Sequence, residues 1–352
     1  MAFAASPQLA VEVTKARGLG FLASIFDMSP GSPQLDALDA ELAACRALLC
    51  LPADSPLPIG MGILTVDASA THFAQTVLPL IRRHRPAALW LFAPRAALAP
   101  HAGIVRAVRA LAEQGGGGAP RVFVQVGNAT AAREALRDGA DVLVCQGVDA
   151  GGHQFRSGMG AVALLREVRA LLGGCEAGNG GDVAVGGSRE EGRGVSVLAA
   201  GGIADGAGLA AAVTAGAEGV VLGTRFAVAR ESVYPEFRKQ QILGARDGGS
   251  ATLKSTFHDQ IGNWRMFWGE AYDGRAMRGA LHEKHLGGAS LDECRRALSE
   301  DYDEEAAKRA INTWAGTAVG IINESQPAGE IVRQLRDEAR RAIRRAAQLP
   351  WV

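Results

Sequence analysis

The chain has 352 residues, 48% of them hydrophobic, and its 37 Lys plus Arg balance 37 Asp plus Glu. That length can bury one large α/β barrel with an elaboration, or two ordinary domains, and neutrality removes the electrostatic footprint of a nucleic-acid or anionic-membrane partner. No run reaches the ~20 apolar residues of a membrane helix, and the start "MAFAASPQLAVEVTKARG" lacks the basic and apolar regions of a secretory signal. Five scattered cysteines, at 45, 50, 145, 175 and 294, suit the reduced thiols of a cytoplasmic protein rather than a disulfide framework or a metal site.

The chain opens on a helix-like segment, "SPQLAVEVTKARG", with no strand ahead of it. Short Val/Leu/Ile-rich runs then follow in order: "LGFLAS" (19–24), "LPIGMGIL" (57–64), "AALWLFAP" (87–94), "RVFVQVG" (121–127), "DVLVCQG" (141–147), "VSVLAAGG" (195–202) and "GVVLGTRF" (219–226). Continuous apolarity marks strands covered on both faces, hence a parallel sheet with helices outside. Helices fit between them, and "ATAAREALRDGA" (129–140) and "DGAGLAAAVTAGA" (205–217) each end at Gly-Ala before the next strand. The expectation is an α/β fold, a TIM (β/α)8-type barrel one strand short at its start, with a doubly wound open sheet as the alternative.

Three regions divide the chain: a barrel over 1–230, a helical substrate or lid elaboration over 231–304, and C-terminal helices over 305–352 that return to the barrel. A Gly-rich, polar stretch at 173–194 reads as a surface insertion. In the elaboration, Trp264, Phe267 and Trp268 read as core packing, with a lid as the lesser reading. The Arg-rich final helix reads as a solvated face. His282 and His285 stand three apart without a third ligand at metal spacing, so no metal is expected.

A parallel barrel builds its active site at the C-terminal ends of its strands. Three such ends are bare here: Gln146-Gly147 leading to Gly151-Gly152-His153, then Gly201-Gly202, then Gly223-Thr224. The last two fall where barrels hold phosphate on backbone N–H groups, and the Thr224 hydroxyl and an N-cap at Asp205 add to that pattern. Each feature alone also fits a tight turn or a structural histidine; their clustering at strand ends favours a site. There is no Gly-x-Gly-x-x-Gly after a first strand and no Walker sequence.

At these residues the chain resembles the nitronate monooxygenase family, once called 2-nitropropane dioxygenases. The matching stretches are "ARGLGFLAS", "DVLVCQGVDAGGHQ", "VLAAGGIADGAGLAAAVTAGAEGVVLGTRF" and, more loosely, "YDGRAM". The resemblance covers most of residues 8–230. It implies FMN held non-covalently at the barrel mouth, with Gln146, Gly151 and Gly152 near the flavin. Gly201, Gly202, Gly223 and Thr224 would lie at its phosphate, Gly62 would be on a strand that lines it, and His153 would be the catalytic histidine. The family opens with a strand that runs along the flavin, which this sequence does not show.

The activity so implied is oxidation of a nitronate, or a nitroalkane, with dioxygen to a carbonyl compound and nitrite. His153 would act as general base or as hydrogen-bond donor, and Asp149 would orient its loop rather than serve as an acid. Two alternatives stay open: an FMN-dependent NAD(P)H enoyl or quinone reductase, and a non-catalytic barrel relic with weak or no flavin binding. Oligomeric state is not readable from the sequence.

Overall fold

The computed structural model describes residues 4–113, 118–172, 194–262 and 264–349. The Gly-rich insertion therefore lies, apart from Gly194, outside the described residues. Seven parallel strands curl into an open barrel: β1 (Gly20–Ile25), β2 (Leu57–Leu64), β3 (Pro86–Phe92), β4 (Arg121–Val126), β5 (Val142–Gln146), then, after a short β6 (Gly152–Phe155) outside the barrel, β7 (Ser196–Ala200) and β8 (Gly219–Val221). Each strand coincides with one of the seven apolar runs. The order is β1-β2-β3-β4-β5-β7-β8, so β1 and β8 are the two edges of the described sheet.

Helices α1 (Pro7–Lys15), α2 (Pro33–Leu48), α3 (Phe73–His84), α4 (Pro100–Glu113), α5 (Ala129–Asp138), α6 (Ala161–Leu172) and α7 (Gly206–Thr214) cover the outer face. Their limits follow local chemistry. Asn128 accepts the Ala131 N–H to start α5, and Gly139, at φ 93°, ends it. Outward strand residues such as Ile59, Met61, Leu89, Leu143 and Val197 pack with helical Leu38, Val77, Ile104 and Leu164 in one buried cluster. Fully burying a side chain of this kind contributes roughly 1.5–3 kcal/mol. The barrel interior is aromatic: Phe21 meets Trp90 and Phe123 edge-on at ring distances of 5.4 and 5.5 Å.

The two edges of the sheet are tied together outside it. Leu9 and Val13 of α1, ahead of β1, share a buried cluster with Ala229, after β8, and with Ala328, Ile331 and Val332 of the C-terminal helix Ala328–Ala346. Polar bonds reinforce that join. Arg336 donates to the carbonyls of Ala16 and Arg17, and the Glu231 carboxylate accepts the Ala328 N–H at 2.9 Å. One arginine of the final helix is thus a tether rather than part of a solvated face.

The elaboration is a correction to the sequence reading, which expects 231–304 to be helical. Among short helices it carries β9 (Thr252–Ser255) and β10 (Tyr272–Met277), and these form a three-stranded antiparallel sheet with β6 in the order β6-β10-β9. The cause is non-local. β10 pairs with residues 152–155, more than a hundred positions earlier, and the register sets Gly274 opposite His153. No local periodicity reveals such a pairing.

Candidate active site

His153 sits where the small sheet meets the barrel mouth. A directed chain of hydrogen bonds leads to it across the strands. Trp90 Nε1 donates to Gln125 Oε1 at 3.2 Å, Gln125 Nε2 to Gln146 Oε1 at 2.7 Å, and Gln146 Nε2 to the His153 carbonyl at 3.2 Å. Gln125 and Gln146 are both buried, so the chain satisfies amides that would otherwise be costly to desolvate.

The imidazole itself is held on three sides. Nε2 lies 2.7 Å from Asp259 Oδ1. Trp268 stacks on the ring at 3.6 Å between centroids and 13° between planes, and Trp314 leans on it at 4.6 Å. The Asp259 side chain is only 2% exposed, and its second oxygen, Oδ2, has no partner among the described residues. Burial pushes the pKa of the neighbouring His258 down, which favours its neutral form beside this pair.

The glycines named from sequence are gathered by a segment from far down the chain, 314–317. A Cβ on Gly151 would stand 2.4 Å from the Ala315 carbonyl carbon and 2.5 Å from the Gly316 nitrogen, so only glycine lets this backbone pass. At Gly274, opposite His153, a Cβ would meet the Trp314 ring at 2.4 Å. The Gly316 N–H donates to Thr224 Oγ1 at 2.9 Å, and the Thr317 N–H donates to the Asp149 carbonyl at 2.9 Å. A Cβ at Gly202 would come within 3.6 Å of Thr317 Oγ1.

His153, Gly151, Gly202 and Thr224 are thus joined through one strap. Gly201 turns at φ 103° against the Ala150 backbone, and Gly152 turns at φ 77° with open space where a side chain would be. Asp149 also accepts the Ala161 N–H at 3.3 Å, which fixes its loop. Gly62, on β2, pairs with Ser24 and with Trp90, the first residue of the hydrogen-bond chain that leads to His153.

The two helix starts after β7 and β8 differ in what they offer an anion. At α7, Asp205 accepts the Gly208 N–H at 2.8 Å and Glu338 accepts the Gly206 N–H at 3.0 Å, so carboxylates already occupy that end. The short helix Thr224–Ala227 has Gly223 as its N-cap and no side-chain cap. Thr224 Oγ1 accepts from Gly316, and among the described residues its hydroxyl proton is donated to no other group.

Substituting Gly151 by Ala drives a methyl into backbone rather than into a yielding side chain. The expected cost is about 1–3 kcal/mol, the usual range for overpacking, with loss of strap docking. Thermal melting and retention of bound ligand on gel filtration check it; a variant equal to the parent in both would contradict the close approach.

Sequence reasoning missed Asp259, Trp314 and the strap. Asp259 lies 106 residues from His153, inside the charge-rich elaboration. One signal was readable: an acidic residue flanked by Phe257, His258 and Ile261, which places a carboxylate in an apolar setting. Trp268, read chiefly as core, is buried and faces the histidine, while Trp264 on the same short stretch is 53% exposed.

A family model described as nitronate monooxygenase matches residues 107–338. Over 348 residues the chain is 45% identical to a nitronate monooxygenase of Neurospora crassa, covering 97% of this chain and 88% of that relative. The chain belongs to the nitronate monooxygenase family. Members of this family are generally flavin-dependent oxidoreductases, and this chain is an oxidoreductase of that group. Among solved structures, FabK from Thermotoga maritima superposes with a TM-score of 0.68 at 23% identity, covering 99% of this chain and 93% of that one. A nitroalkane oxidase from Streptomyces ansochromogenes superposes at 0.66 and 22%, covering 98% and 95%. At such identities these two establish the barrel fold and no more. No helix among the described residues is long and apolar enough to cross a membrane.

Proposed function

We propose that this nitronate monooxygenase family member binds FMN and oxidises alkyl nitronates, or their parent nitroalkanes, with dioxygen to a carbonyl compound and nitrite. The observation that carries the reading is the arrangement around His153: one half-buried imidazole, clamped by two indoles and a carboxylate, bordered by glycines that leave backbone bare. The residues present fit a flavin mononucleotide. Gly202 and the uncapped start at Gly223 and Thr224 supply amide and hydroxyl donors for a phosphate, and Gly151 and Gly152 offer a side-chain-free border for a flat ring. Bound FMN supplies the electron transfer between nitronate and dioxygen.

The protein's own part is positional and acid–base. Gln146 anchors the His153 backbone through its carbonyl, so the imidazole cannot retreat along its strand. Trp268 stacks on one face of the ring and Trp314 leans against it. His153 serves as general base on a neutral nitroalkane, a role open to an imidazole. The apolar ring of Phe92, Trp268 and Tyr272 beside it suits an alkyl substituent. Release of nitrite and the matching carbonyl compound from a nitronate, in proportion to dioxygen consumed, is the expected result. Consumption of NAD(P)H with an enoyl thioester or a quinone, and none with nitronates, would overturn the reading.

A further inference from the structure

We propose that Asp259 is a positioning residue for His153, holding its Nε2–H so that Nδ1 is left as the proton acceptor. This deepens the reading above and rests on His153 acting as the base. A carboxylate can only accept, so the nitrogen 2.7 Å from Asp259 Oδ1 carries the hydrogen. Among the described residues Nδ1 meets no polar partner, and the Asp259 carboxylate has no donor other than His153. Its charge is therefore directed at that one ring.

Both partners are fixed by their surroundings. Asp259 lies on the short helix Phe257–Ile261, whose Phe257 and Ile261 are buried with Leu281, Cys294 and Ala297. His153 is pinned by β10 on one side, by Trp268 stacked on its ring and by Trp314 tilted against it. The ring can neither flip nor swing without breaking the stack, so the tautomer chosen by Asp259 is the one presented to substrate.

With a neutral nitroalkane, the proton on the carbon bearing the nitro group passes to Nδ1. The electron pair of that C–H bond stays on the substrate as the nitronate, and the imidazolium so formed lies against the ionised Asp259. A preformed nitronate needs no such step. Asp259 therefore matters for one substrate form and not for the other, a split that a purely structural tie between elaboration and barrel would not produce.

The test uses the flavin-loaded enzyme labelled with 15N-histidine, with the His153 signals identified by their loss in His153→Asn. A protonated Nε2 and a bare Nδ1 are expected in the parent, and mixed tautomers in Asp259→Asn. That variant should lose at least ~100-fold in kcat/KM on the neutral nitroalkane while staying within ~3-fold on its preformed nitronate. A protonated Nδ1 with a bare Nε2 in the parent overturns the proposal, whether or not the variant folds, as does an equal loss on both substrate forms. If His153→Asn itself turns over the neutral nitroalkane normally, the reading of His153 as base fails. If only Asp259→Asn does, the assignment of Asp259 fails alone.

Discussion

Replacing His153 with Asn lowers kcat/KM on a neutral nitroalkane by at least ~100-fold, the lower bound for losing a positioned general base. Asparagine's amide stands about where imidazole Nδ1 does and can still hydrogen-bond, though it does not reach the Asp259 oxygen that lies 2.7 Å from Nε2. What it lacks is a basic nitrogen. The residues assigned to FMN phosphate, Gly202, Gly223 and Thr224, follow other strands, so flavin content should match the parent. Undiminished turnover of both the nitroalkane and its nitronate would remove His153 from the chemistry. Loss of flavin along with activity would instead make its role structural.

The protein should lose stability steadily as the solution is acidified from near neutrality. His101 is buried, with Nε2 2.8 Å from Thr65 Oγ1, and burial pushes its pKa down to about 4. His282 is 3% exposed, both its ring nitrogens lack a hydrogen-bond partner among the described residues, and burial, aided by charge on His258, Arg278 and His285, lowers it to about 3. Both rings are neutral when folded, whereas in the unfolded chain they take up protons at about 6.5. The unfolded state therefore binds more protons below that value, and the contribution is complete above it. It declines as pH falls, through the window down to about 4 for His101 and to about 3 for His282. For His101 the whole window corresponds to roughly 3 kcal/mol. Melting temperatures measured between about pH 7 and pH 5 should fall, and the fall should be shallower in His101→Gln. An identical slope in parent and variant would contradict it.

The barrel was largely legible because its information is local. Continuous apolar runs such as 141–147 can only be strands covered on both faces, and all seven such runs became the parallel sheet in chain order. The same holds for the Asp205 cap of α7 and the Gly139 stop of α5. The site was half legible. Glycine clustering at strand ends pointed to His153, Gly202 and Thr224, since bare backbone beside an imidazole needs a reason.

Its other half was not legible, because it depends on contacts between distant segments. Asp259, Trp268 and Trp314 reach His153 only after β10 pairs with β6. That pairing joins two short strands, four and six residues long, with no alternation strong enough to announce them. The strap at 314–317 is equally silent in sequence; its imprint is the pair Gly151 and Gly274, which can be read only once the partner backbone is in place.

A flavin site that takes electrons from nitronates can be read in the visible spectrum of the purified protein during anaerobic mixing. The protein should show a flavin absorbance band that bleaches on addition of an alkyl nitronate, returns when dioxygen is admitted, and does not bleach with NAD(P)H. A colourless protein that FMN cannot reconstitute, or a band bleached by NAD(P)H and untouched by nitronate, would contradict it.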